Sequence, residues 1–467
     1  MNSSSDLALW LLVWAGAASA VVYSRLKRTS VGTGLVPVYI FNLWLIHWLA
    51  VCMYLIPGYE YYNVDVVRQG FEQSTYGIVA FAFGSLVLTP FLMKLHPVRE
   101  TQPVSYEVHE KLPAAYMIAG AASYVLLSSF LGRLPTAIAL VGVGQQLFIV
   151  GVCLWFWMAW WKQDAKRSIM CGAITLLLPF ITIVSRGFIG YGAMAVMTIL
   201  TFIVSFTRVS AKVLVAVLLL GYVGLSFYVS YMRDRGEIRE VVWGGEPLQE
   251  RVTRVYQTIN TLEWFDPSNE SHLTRIDERL NQNFLVGSAV DWLSLSKDYA
   301  RGETFWLALF AFVPRAIWPE KPVVAGSGDL VSDHTGLRFD EDTSVGIGQV
   351  MEFYINFGTG GVIFGFLIMG VILTMIDLNA GRRLLQDDWQ KFALWYLTGI
   401  SFLQVGGSLA EVTSSAAASV VVALLVNNAL LYNFQRKRAV PTRDTESMDK
   451  SLMSPSDEFL NIRTDRT

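Results

Sequence analysis

The sequence predicts an all-α polytopic membrane protein with about 11 transmembrane helices, a re-entrant or interfacial segment near residues 303–317 and two large outer loops. Three observations predict it. Of 467 residues, 53% are hydrophobic and only 16% charged, and mean hydropathy is +0.42, a balance unlike that of a soluble multidomain chain. Apolar runs of the length a helix needs to cross hydrocarbon, about 20 residues, recur along the chain. Lysine and arginine gather in alternate loops, as short cytoplasmic loops require. The net charge of −2 decides nothing, since the placement of Lys and Arg orients such a chain and their sum does not. No basic tract points to nucleic acid.

The runs lie near residues 7–24, 35–56, 75–95, 112–131, 135–161, 168–185, 188–206, 212–231, 348–376, 391–408 and 409–434. The first is followed by Arg25, Lys27 and Arg28, the reverse of a cleaved signal peptide, whose positive end comes first, and is read as a retained helix. The clusters Arg25/Lys27/Arg28, Lys94/Arg99/Lys111, Lys162/Lys166/Arg167, Arg208/Lys212, Arg382/Arg383 and Arg436/Lys437/Arg438 all fall on one side, provided that Thr304–Val313 does not cross. The amino terminus is then outside and the carboxyl terminus inside.

This gives membrane helices over 1–231, an outer loop with amphipathic helices over 232–303, the re-entrant segment and second outer loop over 304–347, and membrane helices again over 348–434. The polar tail 435–467 is expected to be disordered. Smaller outer connections fall at 57–74, 132–134 and 185–188. Cys52, Cys153 and Cys171 sit in apolar runs, where cysteine packs as a small hydrophobe, so neither a disulfide nor a metal site is expected.

In the first large loop, Leu248, Val252, Val255, Ile259 and Leu262 recur at helical spacing after Pro247, predicting an amphipathic helix that lies on the membrane domain as a lid or brace. A second helix is predicted over Leu273–Phe284, with Arg275 and Arg279 side by side one turn apart and Glu278 between them. They serve either a surface salt bridge or an anionic ligand. The glycines of Gly346–Gly361 come without the lysine of a phosphate loop and suit close helix packing.

Thr304–Val313 is too short to span. It leads into Phe312-Val-Pro-Arg-Ala-Ile-Trp-Pro-Glu-Lys-Pro322, where Pro314 and Pro319 break the helix and carry Arg315 and Lys321 to the membrane edge. Trp306 and Trp318 suit the water interface. The pair resembles an anion clamp; lipid-headgroup anchoring by the two cations is the alternative. Arg186, in Ser-Arg-Gly at an outer tip, is a second functional candidate, because a charge at membrane depth faces a cavity or a partner; a snorkelling arginine is the plainer reading. The second loop holds Asp329, Asp333, His334, Asp340, Glu341 and Asp342, among which a general base has to be sought. Glu352, at the start of a span, calls for a cationic partner, and an arginine of the clamp would serve; a helix-terminal hydrogen bond is the plainer reading. Glu411 has a similar position.

Ser185-Arg186-Gly187, Pro314-Arg315-Ala-Ile-Trp-Pro-Glu-Lys321-Pro322 and Glu352-Phe-Tyr-Ile-Asn-Phe-Gly358, at the outer ends of a many-span chain, resemble the Wzy-type polymerases of oligosaccharide repeat units, which make O-antigen and exopolysaccharide in bacteria. The resemblance covers roughly residues 180–360. It implies a metal-independent, cofactor-free glycosyltransferase of the inner membrane that moves a growing glycan from an undecaprenyl-pyrophosphate carrier onto another carrier-linked unit at the periplasmic face. The amino terminus would then be periplasmic and the carboxyl terminus cytoplasmic.

Chemically, fixed cations must meet the charge that develops as the glycosidic bond breaks. Arg186, Arg315, Lys321, Arg275 and Arg279 are the pyrophosphate-binding candidates, and His334, Asp340 and Glu352 the catalytic ones. Donor and acceptor glycans, membrane lipids and a chain-length regulator protein are the expected partners. A glycan ligase and a lipid-linked-glycan flippase are the alternatives; transporters tend to show repeats and mid-membrane binding residues, whereas here the charges cluster at the outer edge.

Overall fold

The computed structural model describes residues 3–26, 31–95, 106–127, 142–207, 211–313, 318, 320, 327–339 and 345–438. It is all-α, with sixteen helices among those residues. In chain order they are α1 (Ser3–Leu26), α2 (Leu35–Met53), α3 (Val64–Leu95), α4 (Tyr106–Leu127), α5 (Leu147–Trp161), α6 (Ala165–Arg186), α7 (Gly190–Phe206) and α8 (Ala211–Trp243). Then come α9 (Leu248–Asn260), α10 (Glu270–Leu280), α11 (Gln282–Ser296), α12 (Glu303–Phe310), α13 (Ser327–Thr335), α14 (Gln349–Leu385), α15 (Trp389–Ser401) and α16 (Leu409–Arg438).

Eight helices are long and apolar enough to cross a membrane, and the protein is a polytopic membrane protein. The other three expected runs also coincide with helices: α4, the 17-residue α7 and the 13-residue α15. Several helices run further than the hydropathy suggests. Asn63 accepts from the Asp65 and Val66 amides and starts α3 eleven residues before the expected apolar run at 75, so more than half of the loop placed at 57–74 is helix. α8 continues past residue 231 to Trp243, and α14 to Leu385.

Side-chain contacts sort the helix ends into two layers. At one, Asp377 of α14 accepts from Thr33 and from the Leu35 amide that opens α2, Arg25 donates to Ser85, and Asn427 of α16 accepts from Tyr116 of α4. At the other, Asn283 of α11 meets His47 of α2, Tyr54 meets Asp277 of α10, and Glu352 of α14 meets the Leu409 amide of α16. The amide of Gly302 donates to Asn356 of α14 (2.8 Å), and Asn356 donates to Thr304 (2.7 Å). The chain therefore leaves the second layer at Thr304 and is back in it by Gly348–Glu352. The eight residues of α12 reach about 12 Å, too short to cross.

Two π-turns, Trp44–Trp48 in α2 and Gly84–Leu88 in α3, leave backbone carbonyls that the helix itself does not use. Polar side chains take them: Asn283 donates to the His47 carbonyl and Arg25 to that of Ser85, each at 2.8 Å. Buried Phe71, Phe81, Phe366 and Leu373 pack α3 against α14 in the core.

Candidate functional site

α8 positions the site because helical spacing divides the polar residues of its carboxyl-terminal end between two faces. Arg233, Asp234 and Glu237 lie on one. Tyr228, Tyr231, Arg235 and Arg239, spaced by three and four, lie on the other. The first face is paired throughout. Arg233 contacts Asp234 (2.7 Å) and Glu263 (2.6 Å), Arg254 of α9 contacts Glu237 (2.7 Å), and Thr258 donates to Asp234 (2.8 Å). Glu263 also takes Arg275 (3.0 Å) and His272 (3.1 Å), so one carboxylate joins α8 to α10. The Arg233 hydrogen bond, followed by those of Arg275 and His272, holds its carboxyl at about 2.

These polar contacts also set the roll of α9. Of the expected apolar stripe, Val255 is buried, while Leu248, Val252 and Ile259 are exposed. The predicted brace thus turns only one edge of its apolar stripe to the protein, a correction to the expectation that the stripe faces a core.

The second face of α8 is cationic, and among the described residues its arginines make no salt bridge, although Arg239 meets the Tyr231 hydroxyl. Arg279 of α10 and Arg239 lie close enough to repel Arg235, and Arg279 and Arg235 also act on Tyr228. The Arg239 guanidinium stands over the rings of Phe188 (4.3 Å) and Trp243 (5.0 Å). Beside it is the tip between α6 and α7. Gly187, at φ 73°, ends α6 in the left-handed conformation and lets the chain pass close to Arg239; a Cβ there would meet Arg239 Cγ at 3.2 Å. Its carbonyl accepts from Tyr231 (2.7 Å), and the Arg186 carbonyl accepts from Trp243 (3.1 Å). The Arg186 guanidinium lies over Tyr124 (4.4 Å) and nearer the edge of reach of Tyr191 (5.8 Å). Arg186 and Arg239 thus flank one tip, with Arg235 next along α8 and Arg279 of α10 beside it.

The residues singled out from sequence are distributed as follows. Arg186 and Arg279 belong to this corner. Arg275 is spent on Glu263, and Glu278 accepts from Tyr61 (2.9 Å) and pairs with neither neighbouring arginine. His334 lies on α13, with Nδ1 against the Leu330 carbonyl (2.9 Å); the acidic loop expected there is partly this helix. Glu352 is 1% exposed, and its partner is the Leu409 amide at 2.6 Å with a hydrogen bond from Thr304, not an arginine. A carboxylate at the start of α16 is compensated by unpaired amides, so a cation is not required. Glu411 caps the same helix start through the Ser408 amide. Arg315, Lys321 and Asp340 lie outside the described residues. Among the described residues, no three His, Cys, Asp or Glu side chains are grouped to hold a metal ion.

The helix predicted over Leu273–Phe284 breaks at Asn281, which ends α10 and caps α11 by accepting from the Asn283 amide (3.1 Å). Below the corner, Asp277 accepts from Tyr54 (2.6 Å), Tyr59 (3.0 Å) and Asn281 (2.6 Å). Burial raises its pKa above the usual carboxylate range. The sequence reading missed Arg235, Arg239 and Asp277. The available signal was the Arg-x-x-x-Arg spacing on a helix whose hydrophobic start, Leu218–Val229, fixes its phase.

A family model described as a domain of unknown function (DUF8712) matches residues 47–385, most of the chain, and the protein belongs to that family. Neither the curated proteins nor the solved structures contain a match.

Proposed function

We propose that this member of the DUF8712 family polymerises lipid-pyrophosphate-linked oligosaccharide units at the periplasmic face of a bacterial inner membrane. In this reading eleven helices cross, α12 does not, the amino terminus is periplasmic and the carboxyl terminus cytoplasmic. The observation that carries it is the gathering of Arg186, Arg235, Arg239 and Arg279 at one outer corner of an apolar helix assembly. A lipid carrier slides in the bilayer while its pyrophosphate stays at the surface, so its transferase needs fixed cations at that boundary. Arg315 and Lys321 complete the clamp, and the base that activates the attacking hydroxyl is sought among His334, Asp340 and Glu352. With Glu352 committed to the start of α16, the reading favours the second-loop residues.

The test is removal of the protein from its host followed by analysis of lipid-linked glycans. Accumulated single repeat units are expected, and Arg186→Ala should reproduce them while the protein stays in the membrane. Finished polymer left on its carrier would replace the polymerase with a ligase, and units trapped on the cytoplasmic side would replace it with a flippase. Normal glycan in both strains would end the reading.

A further inference from the structure

We propose that Arg235, Arg239 and Arg279, with the Tyr228 hydroxyl, form a seat for a diphosphate group. This names the ligand-holding residues of the corner described above and rests on the proposed reaction only for the identity of what the diphosphate is attached to.

The seat is singled out by contrast. Arg233, Arg254 and Arg275, on neighbouring turns of the same helices, each have a carboxylate within 4 Å. Arg235, Arg239 and Arg279 have none among the described residues, although Glu237, Glu240 and Glu278 are adjacent in sequence. The acidic residues go elsewhere: Glu237 to Arg254 and Glu278 to Tyr61. Three guanidinium groups, Arg235 and Arg239 partly buried and Arg279 exposed, are thus left beside one another with tyrosine hydroxyls, and no carboxylate, to offset them.

Their donors are only partly spent. Arg239 meets the Tyr231 hydroxyl, but its Nε is buried without a hydrogen-bond partner, and Phe188 and Trp243 hold the group's plane. Arg235 and Arg239 are fixed four residues apart on one rigid helix, while Arg279 comes from α10, which Glu263 ties to α8. Two arginines on one helix and one opposite them suit a ligand with acceptors at both ends. A diphosphate offers oxygens on two phosphorus atoms and at least two negative charges, whereas a carboxylate or one phosphate engages only part of the set.

The full-length protein in neutral phosphatidylcholine nanodiscs would be titrated calorimetrically with inorganic pyrophosphate, inorganic phosphate, sulfate and farnesyl diphosphate. Pyrophosphate should bind more tightly than phosphate or sulfate, and more weakly as salt rises. Arg235→Gln and Arg279→Gln should each weaken it by roughly tenfold or more, Tyr228→Phe by a few-fold, and Arg251→Gln on α9 not at all. Arg235→Lys, which keeps the charge and loses the fork, should fall between, and gel filtration checks that each variant remains folded. Tighter binding of farnesyl diphosphate assigns the seat to a lipid headgroup; equal binding assigns it to the diphosphate alone.

Unchanged affinity in the Arg235→Gln/Arg279→Gln double variant, or sulfate bound as well as pyrophosphate, overturns the seat. The two proposals fail separately. If the variants lose glycan polymer but keep pyrophosphate affinity, the seat is wrong and the polymerase reading stands. If affinity falls as expected but cells without the protein make normal glycan, the seat stands and the polymerase reading falls.

Discussion

Glu263 and Asp277 are carboxylates fourteen residues apart, yet their surroundings drive them in opposite directions. Glu263 accepts from Arg233, Arg275 and His272 and titrates at about 2, against an ordinary value of 4.5. Asp277 accepts only from neutral groups, and burial pushes it up. Because the folded value of Glu263 is depressed, its stabilising contribution is present above about 4.5 and is lost as pH falls toward about 2. Comparison of wild type with Glu263→Gln by thermal unfolding in detergent should show the variant less stable at pH 6, with the gap closing between those values. A gap that persists at pH 2 would mean that the ion pairs do not hold α10 to α8. The acidic and basic residue types were legible from sequence, but their pairing was not: Arg275 was as available to Glu278, three residues on, as to Glu263, twelve residues back. Only the return of 261–265 along α8 decides it, through the Ser230 hydroxyl and the Glu263 amide (2.9 Å).

At the scale of elements, hydropathy located the long helices because a span must be apolar along most of its length. It was weaker where helices leave the hydrocarbon. α11 was missed because its contact with α3 is made through small residues and backbone. A Cβ at Gly70 would collide with the Asn283 carbonyl, and one at Gly287 with the Val66 carbonyl. Such crossings need glycine on both sides and leave no apolar stripe to read. Gly287→Leu should therefore force the two helices apart, at a cost of about 1–3 kcal/mol as overpacking, while Gly172→Ala, at an open helical position of α6, should alter the crossing not at all. A lower melting temperature for the first variant, together with faster proteolysis in 281–302, is the expected result. Equal stability of wild type and Gly287→Leu would show that this crossing is loose. The roll of α9 was illegible for a related reason: salt bridges to Asp234 and Glu237 fix which arc meets α8, and they outweigh the hydrophobic stripe that sequence periodicity detects.

For the molecule as a whole, the charge pattern and the contacts each bear on the proposed topology. Lysine and arginine clusters fall on one side only if the segment beginning at Thr304 does not cross. The hydrogen bonds of Asn356 to Gly302 and Thr304 hold the start of α14 in the layer that α10, α11 and the beginning of α12 occupy. Since α14 is continuous from Gln349 to Leu385, apart from a kink at Phe357–Gly358, its two ends must then lie on opposite sides of the membrane. Glu246, in the turn after α8, and Gln386, just past α14, therefore report opposite faces. In intact cells, a membrane-impermeant maleimide should modify Glu246→Cys, and should modify Gln386→Cys only after permeabilisation. Cys153 and Cys171 are buried, and the unmodified protein supplies the background for Cys52. If Gln386→Cys were modified from outside together with Glu246→Cys, an additional crossing would lie between them. The positive clusters at the ends of α14 and α16 would then be exported, and the arginine corner and the second loop would no longer share the face on which a lipid-linked substrate has to meet both.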